Sequence, residues 1–179
     1  MTADRRVAAI VIDEHRLRAR VRELATEIRR DTPREMPLHL VTILKGGFVF
    51  LADLIRAIDG PVSCDFLATA SYGTSDESSG QVRLVKDLDE PIEGRDVVIV
   101  EDILDSGRTL LRVQELLQSR NPRSLRTVCL LDKPARRMVA VKADYTGFVI
   151  EDRFVVGYGL DFDQAFRNLP YLAVLGDPS

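Results

Sequence analysis

The chain has 179 residues, a length that suits one folded domain with a sizeable core. Its 25 Lys and Arg residues are nearly balanced by 28 Asp and Glu residues. The resulting formal charge of −3 argues against a protein that binds by neutralising many nucleic-acid phosphates. No apolar run approaches the roughly 20 residues of a membrane span, and the polar amino terminus lacks a secretory pattern. We therefore expect a cytoplasmic protein with neither nucleic-acid nor membrane partners.

The cysteines and histidines give no indication of a metal site. Cys64 and Cys129 lie in apolar, strand-like segments, and neither has a Cys or His at ligand spacing. We expect both to be buried free thiols. His15 and His39 are isolated in the sequence and are expected to be structural or surface residues.

The first clear element is an amphipathic helix. Leu17, Val21, Leu24 and Ile28 recur at helical spacing among charged residues, and Asp13 is a suitable N-cap. Further along the chain, apolar patterns predict strands at 38–44, 62–70, 82–85, 97–100, 127–131, 146–150, 154–156 and 171–175.

Helical patterns alternate with these strands. A mostly apolar helix is predicted over 48–58, and Leu110, Val113 and Leu117 share one face of another. Strands that alternate with helices indicate an α/β fold with a central, mostly parallel sheet flanked by helices.

The segment RDVVIVEDILDSGRTLL at 95–111 carries the clearest functional signal. Four aliphatic residues, 97–100, are typical of a strand buried on both faces, and Glu101 and Asp102 follow them. The small-residue turn 105–109 then leads into a helix, and such a turn binds anions, usually phosphate. A carboxylate pair beside a phosphate needs another partner, for which a sugar diol or Mg²⁺ is suitable.

A plain helix cap and two nucleotide-binding motifs are the alternatives for this segment. A strand–turn–helix corner with Asp or Ser as the N-cap is common in α/β proteins that bind nothing there. A Walker A loop is excluded because Asp102 and Arg108 stand where that motif has Gly and Lys. No G-x-G-x-x-G follows a strand, so a dinucleotide site has little support.

Several polar residues fall at or just after the ends of predicted strands. They are Lys45, Glu101, Asp102, Asp105 and Lys133. Because ligands of parallel sheets bind at the carboxyl ends of the strands, this distribution favours one shared site.

EDILDSGRTL at 101–110 resembles the phosphoribosyl-diphosphate (PRPP) motif of the type I phosphoribosyltransferases, in the form found in hypoxanthine-guanine phosphoribosyltransferases. Three more segments follow the family's order: LKGGFVFLADL at 44–54, SYGTSDESSG at 71–80 and VGYGLDFDQAFRNLPYLAVL at 156–175. The likeness spans nearly the whole chain, whose compact length is similar to that of the bacterial-type members.

The resemblance implies the type I phosphoribosyltransferase fold, with a small hood region and a flexible lid loop, formed by residues 1–179 as a single domain. It also implies an Mg²⁺-dependent enzyme of purine salvage. Such an enzyme transfers a phosphoribosyl group from PRPP to hypoxanthine or guanine, giving IMP or GMP and pyrophosphate. A homodimer or homotetramer is expected.

The resemblance also implies residue roles around the sugar. Asp105 corresponds to the catalytic acid/base near purine N7, and Glu101 and Asp102 to the residues that hold the ribose hydroxyls directly or through Mg²⁺. The expected 5-phosphate loop comprises Asp105, Ser106, Gly107, Arg108 and Thr109, with Arg108 peripheral. Without the resemblance, Ser106 reads as a plain helix N-cap.

The remaining roles concern pyrophosphate, metal and base. Pyrophosphate contacts are expected from Lys45, Gly46, Ser71, Tyr72 and Arg167, and a metal-associated carboxylate from Asp161. The purine is expected to contact Ile103, Lys133, Phe154 and Val155. The family's lid corresponds to 71–81, which by composition is also an ordinary disordered surface loop. In this family the Leu44–Lys45 peptide can be cis.

Two alternatives stay open. A phosphoribosyltransferase for another base, such as xanthine, uracil, adenine or orotate, would share the fold. A PRPP-sensing regulator would keep the PRPP loop without catalysis, although such proteins can lose the acid/base and base-recognition residues that this chain retains.

Overall fold

The computed structural model describes residues 7–71 and 82–176 of the chain. Its strands are β1 Val7–Ile12, β2 Leu38–Leu44, β3 Val62–Ser71, β4 Val82–Lys86, β5 Asp96–Leu104, β6 Ser124–Asp132, β7 Tyr145–Val149, β8 Val155–Val156 and β9 Leu172–Leu175. Its helices are α1 Glu14–Arg30, α2 Phe48–Ala57 and α3 Arg108–Gln118, with a 3₁₀ turn at Pro134–Arg136. The alternation confirms the predicted α/β class.

Six strands form the main sheet, in the order β4-β3-β2-β5-β6-β7. All neighbouring pairs are parallel except β3 and β4, which are antiparallel. The predicted mostly parallel sheet is therefore confirmed. The five parallel strands end at one edge of the sheet, where ligand sites of open α/β sheets usually lie.

Strand β5 is central because its side chains are apolar on both faces. Val98 and Val100 pack into the core beneath α1 and α2, whereas Val97 and Ile99 pack into a second core beneath α3. All four are fully buried. Residues of opposite parity on a strand face opposite sides, so one aliphatic run contributes to both cores.

Helix α1 begins where the sequence predicted. The Asp13 carboxylate accepts a hydrogen bond of 2.9 Å from the Arg16 amide, which satisfies one of the unpaired N–H groups of the first turn. The apolar stripe of α1 is buried against the sheet and α2. Among the described residues, no helix combines the length and apolar character needed to span a lipid bilayer.

A second, smaller sheet has the strand order β1-β9-β8 and corresponds to the expected hood region. The sequence predicted β8 and β9 but missed β1. Strand β1 is held by antiparallel pairing with the distant β9, in which Ile12 lies opposite Leu172 and Val7 opposite Leu175. Because this pairing joins the two ends of the chain, local sequence patterns carry little information about it.

The prediction for one cysteine was wrong. Cys129 is buried, as expected, but Cys64 on β3 is exposed. Strand β4 pairs with β3 only from Ala68 onward, and the earlier part of β3 lines an open cleft beside α2. An apolar run in a strand therefore did not guarantee burial on both faces.

His39 on β2 is a structural residue of the core. It is 3% exposed, and its Nδ1 lies 2.9 Å from the Ser63 hydroxyl, whereas Nε2 has no hydrogen-bond partner among the described residues. Burial lowers the pKa of the imidazole, and the charge of Arg95 adds to this effect. Asp65 and Glu90 act in the opposite direction.

The lowered pKa of His39 predicts a pH-dependent stability. Below the ordinary histidine pKa of about 6.5, His39 takes up a proton in the unfolded chain but not in the folded protein. The contribution of neutral His39 to the free energy of unfolding is therefore complete above this pH and is lost as the pH falls. This effect changes the free energy of unfolding by at most about 1.4 kcal/mol per pH unit, and we expect the His39→Asn variant to lack this pH dependence. Urea titrations between about pH 5 and pH 8 measure it.

The matched control is His15→Asn, since His15 is exposed on α1. Its stability should follow the same pH curve as the unmodified protein. Equal slopes in the His39→Asn variant and the unmodified protein would contradict the prediction.

Candidate active site

The functional residues predicted from the sequence converge at the carboxyl edge of the main sheet. Strand β5 lies between β2 and β6, with Thr42 opposite Val100 and Leu104 opposite Asp132. The segments that follow β2, β5 and β6 therefore start side by side. The Lys133 amide also donates a hydrogen bond of 3.0 Å to the Leu104 carbonyl.

The loop from Asp105 to Thr109 joins β5 to α3 through a left-handed residue. Gly107 has φ of +82° and is the N-cap of α3, and a Cβ atom there would lie 2.5 Å from Val141 Cγ1. A side chain is thus excluded by both conformation and space. The Ser106 hydroxyl accepts a long 3.4 Å hydrogen bond from the Arg108 amide, so the interpretation of Ser106 as the N-cap was wrong.

The turn has the geometry of an anion site. The first N–H groups of a helix have no intrahelical acceptor, and the N-cap residue Gly107 has no side chain to accept from them. Those groups, with the positive end of the helix dipole, face the space beyond the loop. Arg108 is exposed, which agrees with the peripheral position expected for it.

The same loop is held from behind by the segment that follows β6. Arg137 Nη1 donates 2.9 Å to the Asp105 carbonyl, and the Met138 amide donates 2.9 Å to the Ser106 carbonyl. Arg137 also forms an ion pair with Asp132. Sequence analysis missed Arg137, although two adjacent arginines directly after Lys-Pro-Ala were a visible signal.

The Asp105 side chain keeps an unused acceptor. Its Oδ1 is buried and accepts no hydrogen bond within 7–71 and 82–176, and it lies 3.4 Å from Arg136 Nε. Arg136 also approaches Asp152, at 3.6 Å. A carboxylate oxygen that accepts no hydrogen bond, beside an anion site, is available to take or hold a proton of a bound molecule.

Glu101 and Asp102 are consecutive acidic residues near the carboxyl end of β5. Burial raises the pKa of Glu101 well above its ordinary value, and the charge of Asp102 raises it further. Burial also raises the pKa of Asp102 to about 6, against the opposing effects of the Ile103 amide, which donates 2.9 Å to Oδ1, and of Arg167. Such a pair is unfavourable for folding alone and is typical of functional sites.

Next to this pair lies the loop from Lys45 to Gly47. The Leu44–Lys45 peptide is cis, in agreement with the resemblance. A Cβ atom on Gly46 would lie only 1.8 Å from Asp102 Oδ2, so the loop backbone packs directly on the carboxylate. Gly47 is equally restricted, since its Cβ would lie 2.2 Å from Thr42 Oγ1.

Segment 157–167 completes the site on the side of the hood. Asp161 pairs with Arg167 at 2.7 Å and accepts 2.8 Å from the Gln164 amide. Arg167 also donates 2.7 Å to the Gly159 carbonyl, and Lys45 Nζ donates 3.3 Å to Gln164 Oε1. Lys45, Asp161 and Arg167 are therefore brought together, as predicted, through Gln164, which the sequence analysis did not identify.

The residues expected to contact a purine come from three places: Ile103 from β5, Lys133 from the end of β6, and Phe154 and Val155 from just before β8 and its first position. Lys133 is 4% exposed and its Nζ donates to the Arg153 carbonyl. Phe154 is 56% exposed and meets Phe162 edge to face, with ring centroids 5.7 Å apart. An exposed aromatic ring of this kind can stack on a flat base. Val155 belongs to β8, the edge strand of the small sheet, and Ile103 packs at the margin of the core.

Two expectations lie outside what the structure describes. Tyr72 and the rest of the expected lid, 72–81, are not among the described residues. Ser71 is described only as the last residue of β3. Their expected roles at pyrophosphate thus stay predictions.

The carboxylates of the site provide hard oxygen ligands and no nitrogen or sulfur. Within the described residues, no three His, Cys, Asp or Glu side chains converge as a ready metal site. Mg²⁺ nevertheless fits the donors present, because it takes few protein carboxylates and completes its shell with water and substrate phosphates. Glu101, Asp102 and Asp161 are the carboxylates in question.

An apolar cleft of about 680 Å³ adjoins the site beside α2. Lys45, Gln164 and Arg167 form its polar end. Its apolar wall includes Leu44 and Phe48, which are exposed for large hydrophobic residues. The cleft therefore shares residues with the site while extending away from it.

Comparison with known proteins agrees with this geometry. Residues 10–163 match the family model described as the phosphoribosyl transferase domain. The chain is 46% identical over 169 residues to the hypoxanthine-guanine phosphoribosyltransferase of Bacillus subtilis, covering 94% of this chain and 93% of that protein. It shows the same identity to the bifunctional protein TilS/HprT of Listeria innocua, of which the match spans only 26%.

A solved structure of similar shape has the same family name. The hypoxanthine-guanine phosphoribosyltransferase of Bacillus anthracis, solved with a HEPES molecule in its active site, superposes with a TM-score of 0.91 and 42% identity. The match covers 97% of this chain and all of that one. The chain therefore belongs to the phosphoribosyltransferases and, within them, to the family of hypoxanthine-guanine phosphoribosyltransferases.

Proposed function

We propose that this protein transfers the 5-phosphoribosyl group of PRPP to hypoxanthine, and also to guanine, with release of pyrophosphate. The products are IMP and GMP, and the reaction belongs to purine salvage. One observation carries the proposal: the acidic pair Glu101–Asp102 lies beside the open amino terminus of α3 at a single sheet edge. A phosphate beside a ribose is the ligand that satisfies both.

In this proposal, the Asp105–Thr109 loop binds the 5-phosphate through its backbone N–H groups, with the Ser106 and Thr109 hydroxyls as additional donors. Glu101 and Asp102 accept hydrogen bonds from the ribose hydroxyls. The sugar is thereby fixed at both ends, which orients its anomeric carbon toward the base.

The departing pyrophosphate requires compensation of its charge. Lys45 and Arg167 supply positive charge, and the Gly46 backbone approaches closely because it has no side chain. Ser71 and Tyr72 are proposed as further contacts from the lid. Mg²⁺, held by Asp161 with Glu101 and Asp102, supplies additional neutralisation of the phosphates when bound.

Asp105 is proposed as the general acid/base. Its carboxylate oxygen Oδ1, which accepts no hydrogen bond among the described residues, takes or holds the proton near purine N7 as charge develops on the base. Lys133 recognises the 6-oxo group, Phe154 stacks on the ring, and Val155 and Ile103 bound the base pocket. An exposed aromatic ring beside a buried lysine suits a flat, carbonyl-bearing base.

The proposal also covers the domain organisation, the cellular location and the assembly of the protein. Residues 1–179 are taken as one domain in the cytoplasm, and the chain is proposed to assemble as a homodimer or homotetramer. The apolar cleft beside α2 is a surface that self-association would remove from water. Sedimentation velocity of the purified protein measures the assembly.

The central test is Asp105→Asn. We expect kcat with hypoxanthine to fall about 10²- to 10⁴-fold, because the amide cannot take up a proton at that position. Steady-state assays with PRPP and Mg²⁺, offering hypoxanthine, guanine, xanthine, adenine and uracil separately, measure the loss and rank the bases.

Asp152→Asn is the matched control, since Asp152 approaches the same Arg136 side chain without belonging to the loop. It should retain most of the activity. Turnover of uracil or adenine alone would overturn the base assignments, and tight PRPP binding without turnover of any base would favour a regulator.

Gly46→Ala tests the contact between the loop and the acidic pair. The new methyl group would overlap Asp102 Oδ2, so the loop or the carboxylate has to move. We expect the KM for PRPP to rise by more than about tenfold, since overpacking displaces groups that bind the substrate.

The control for Gly46→Ala is Gly94→Ala. Gly94 has φ of +69°, but a methyl group there meets no atom within 4 Å. Its substitution should lower the melting temperature without changing the KM for PRPP. An unchanged KM in Gly46→Ala would show that the contact has no role in binding.

A further inference from the structure

We propose that the hydrogen bond between Tyr158 and Asp53 is a positioning element that holds the two halves of the pyrophosphate side of the site in register. One half is the Lys45–Gly47 loop with α2, and the other is segment 157–167. This inference rests on the proposed function. Neither Tyr158 nor Asp53 has a role in the chemistry described above.

The bond joins segment 157–167 to α2, and Tyr158 also packs in the same core cluster as the buried residues of α2. Tyr158 lies three residues before Asp161, is 5% exposed, and donates 2.6 Å to Asp53 Oδ2. Asp53 lies on α2, which begins directly after the Lys45–Gly47 loop. A short bond to a partly buried carboxylate, which here also pairs with Arg56, is strong and directional.

The two halves also touch through backbone at the site itself. A Cβ atom on Gly159 would lie 2.4 Å from the Gly46 carbonyl oxygen, so these two glycines are in direct contact. Gly46 in turn packs on Asp102. Movement of segment 157–167 relative to α2 would therefore open or close the space in which the loop contacts the carboxylate.

Segment 157–167 needs such a restraint because its backbone is strained. Tyr158, Asp163, Gln164 and Phe166 have φ between +49° and +73°. Non-glycine residues in this region persist only where surrounding contacts impose the conformation. Tyr158 is the strained residue whose side chain reaches α2, and burial followed by the Asp53 contact raises the pKa of its phenol. The hydroxyl therefore stays a donor throughout the physiological range.

A purely structural role makes a different prediction, and the chain contains a suitable control. Tyr145 is also buried, at 6% exposure; its hydroxyl donates 2.9 Å to Asp31 Oδ2 and accepts 3.1 Å from Arg126 Nη1. That bond joins the start of β7 to the end of α1, at the opposite edge of the sheet from the site. Tyr145→Phe thus removes the same kind of bond without touching the pyrophosphate side.

The experiment compares Tyr158→Phe with Tyr145→Phe. We expect Tyr158→Phe to raise the KM for PRPP and the Kd for Mg²⁺-pyrophosphate about tenfold, the effect of losing a charge-assisted hydrogen bond that orders the site. The KM for hypoxanthine should change less than about twofold. Tyr145→Phe should lower the melting temperature and change none of these constants. Calorimetric titration of pyrophosphate provides a readout that does not depend on turnover.

Asp53→Ala provides a second variant if Tyr158→Phe folds poorly, and it should reproduce the loss of pyrophosphate affinity. The double variant should lose no more affinity than either single one, because both remove the same bond. Pyrophosphate affinity that is unchanged in Tyr158→Phe, or that falls equally in Tyr145→Phe, would overturn the positioning role. An unmodified protein that neither turns over PRPP nor binds pyrophosphate would instead overturn the proposed function, and the positioning role with it.

Discussion

The parallel pairing of β5 with β2 and β6 is the constraint on which the site depends. It aligns the carboxyl ends of three strands, so that the segments following them start within reach of one another. The pairing is stable because β5 is aliphatic on both faces and joins the cores beneath the helices on either side of the sheet. The middle of this strand consists of packed aliphatic side chains, and Glu101 and Asp102 lie near its carboxyl end.

The site itself is costly to fold. Two carboxylates follow each other near the end of β5, and burial raises the pKa of both because the folded protein solvates their charged forms poorly. For Asp102, the hydrogen bond from the Ile103 amide and the positive charge of Arg167 offset this only in part. These carboxylates therefore lack sufficient hydrogen-bond donors or positive charge in the protein alone. A polyhydroxylated, phosphorylated ligand or a divalent cation can supply them. Arg167 meanwhile pairs with Asp161, which keeps both side chains ordered.

Sequence patterns predicted the parts of this structure that are local. The aliphatic run of β5, the small-residue turn after it and the N-cap at Asp13 each depend on neighbouring residues, and each was identified. The order of residues at the strand ends was equally informative, since parallel pairing made their convergence a consequence of the fold class.

The features that were missed depend on contacts between distant segments. Strand β1 forms by pairing with β9, and Arg137 contacts the loop that begins at Asp105. Tyr158 bonds to a helix that lies about one hundred residues earlier in the sequence. Cys64 was misassigned for a related reason, because its exposure depends on the cleft that α2 leaves open beside β3. Which side of a strand remains uncovered is a property of the assembled sheet.

The left-handed residues of segment 157–167 have a consequence for protein engineering. Each non-glycine residue in that conformation costs about 1–3 kcal/mol, whereas glycine there costs less than about 1 kcal/mol in chain entropy. Exposed Gln164, with φ of +65°, is such a position. A selection for heat resistance alone would therefore accept glycine at this position, and it would do so by discarding the side chain that links Lys45 to the hood side of the site.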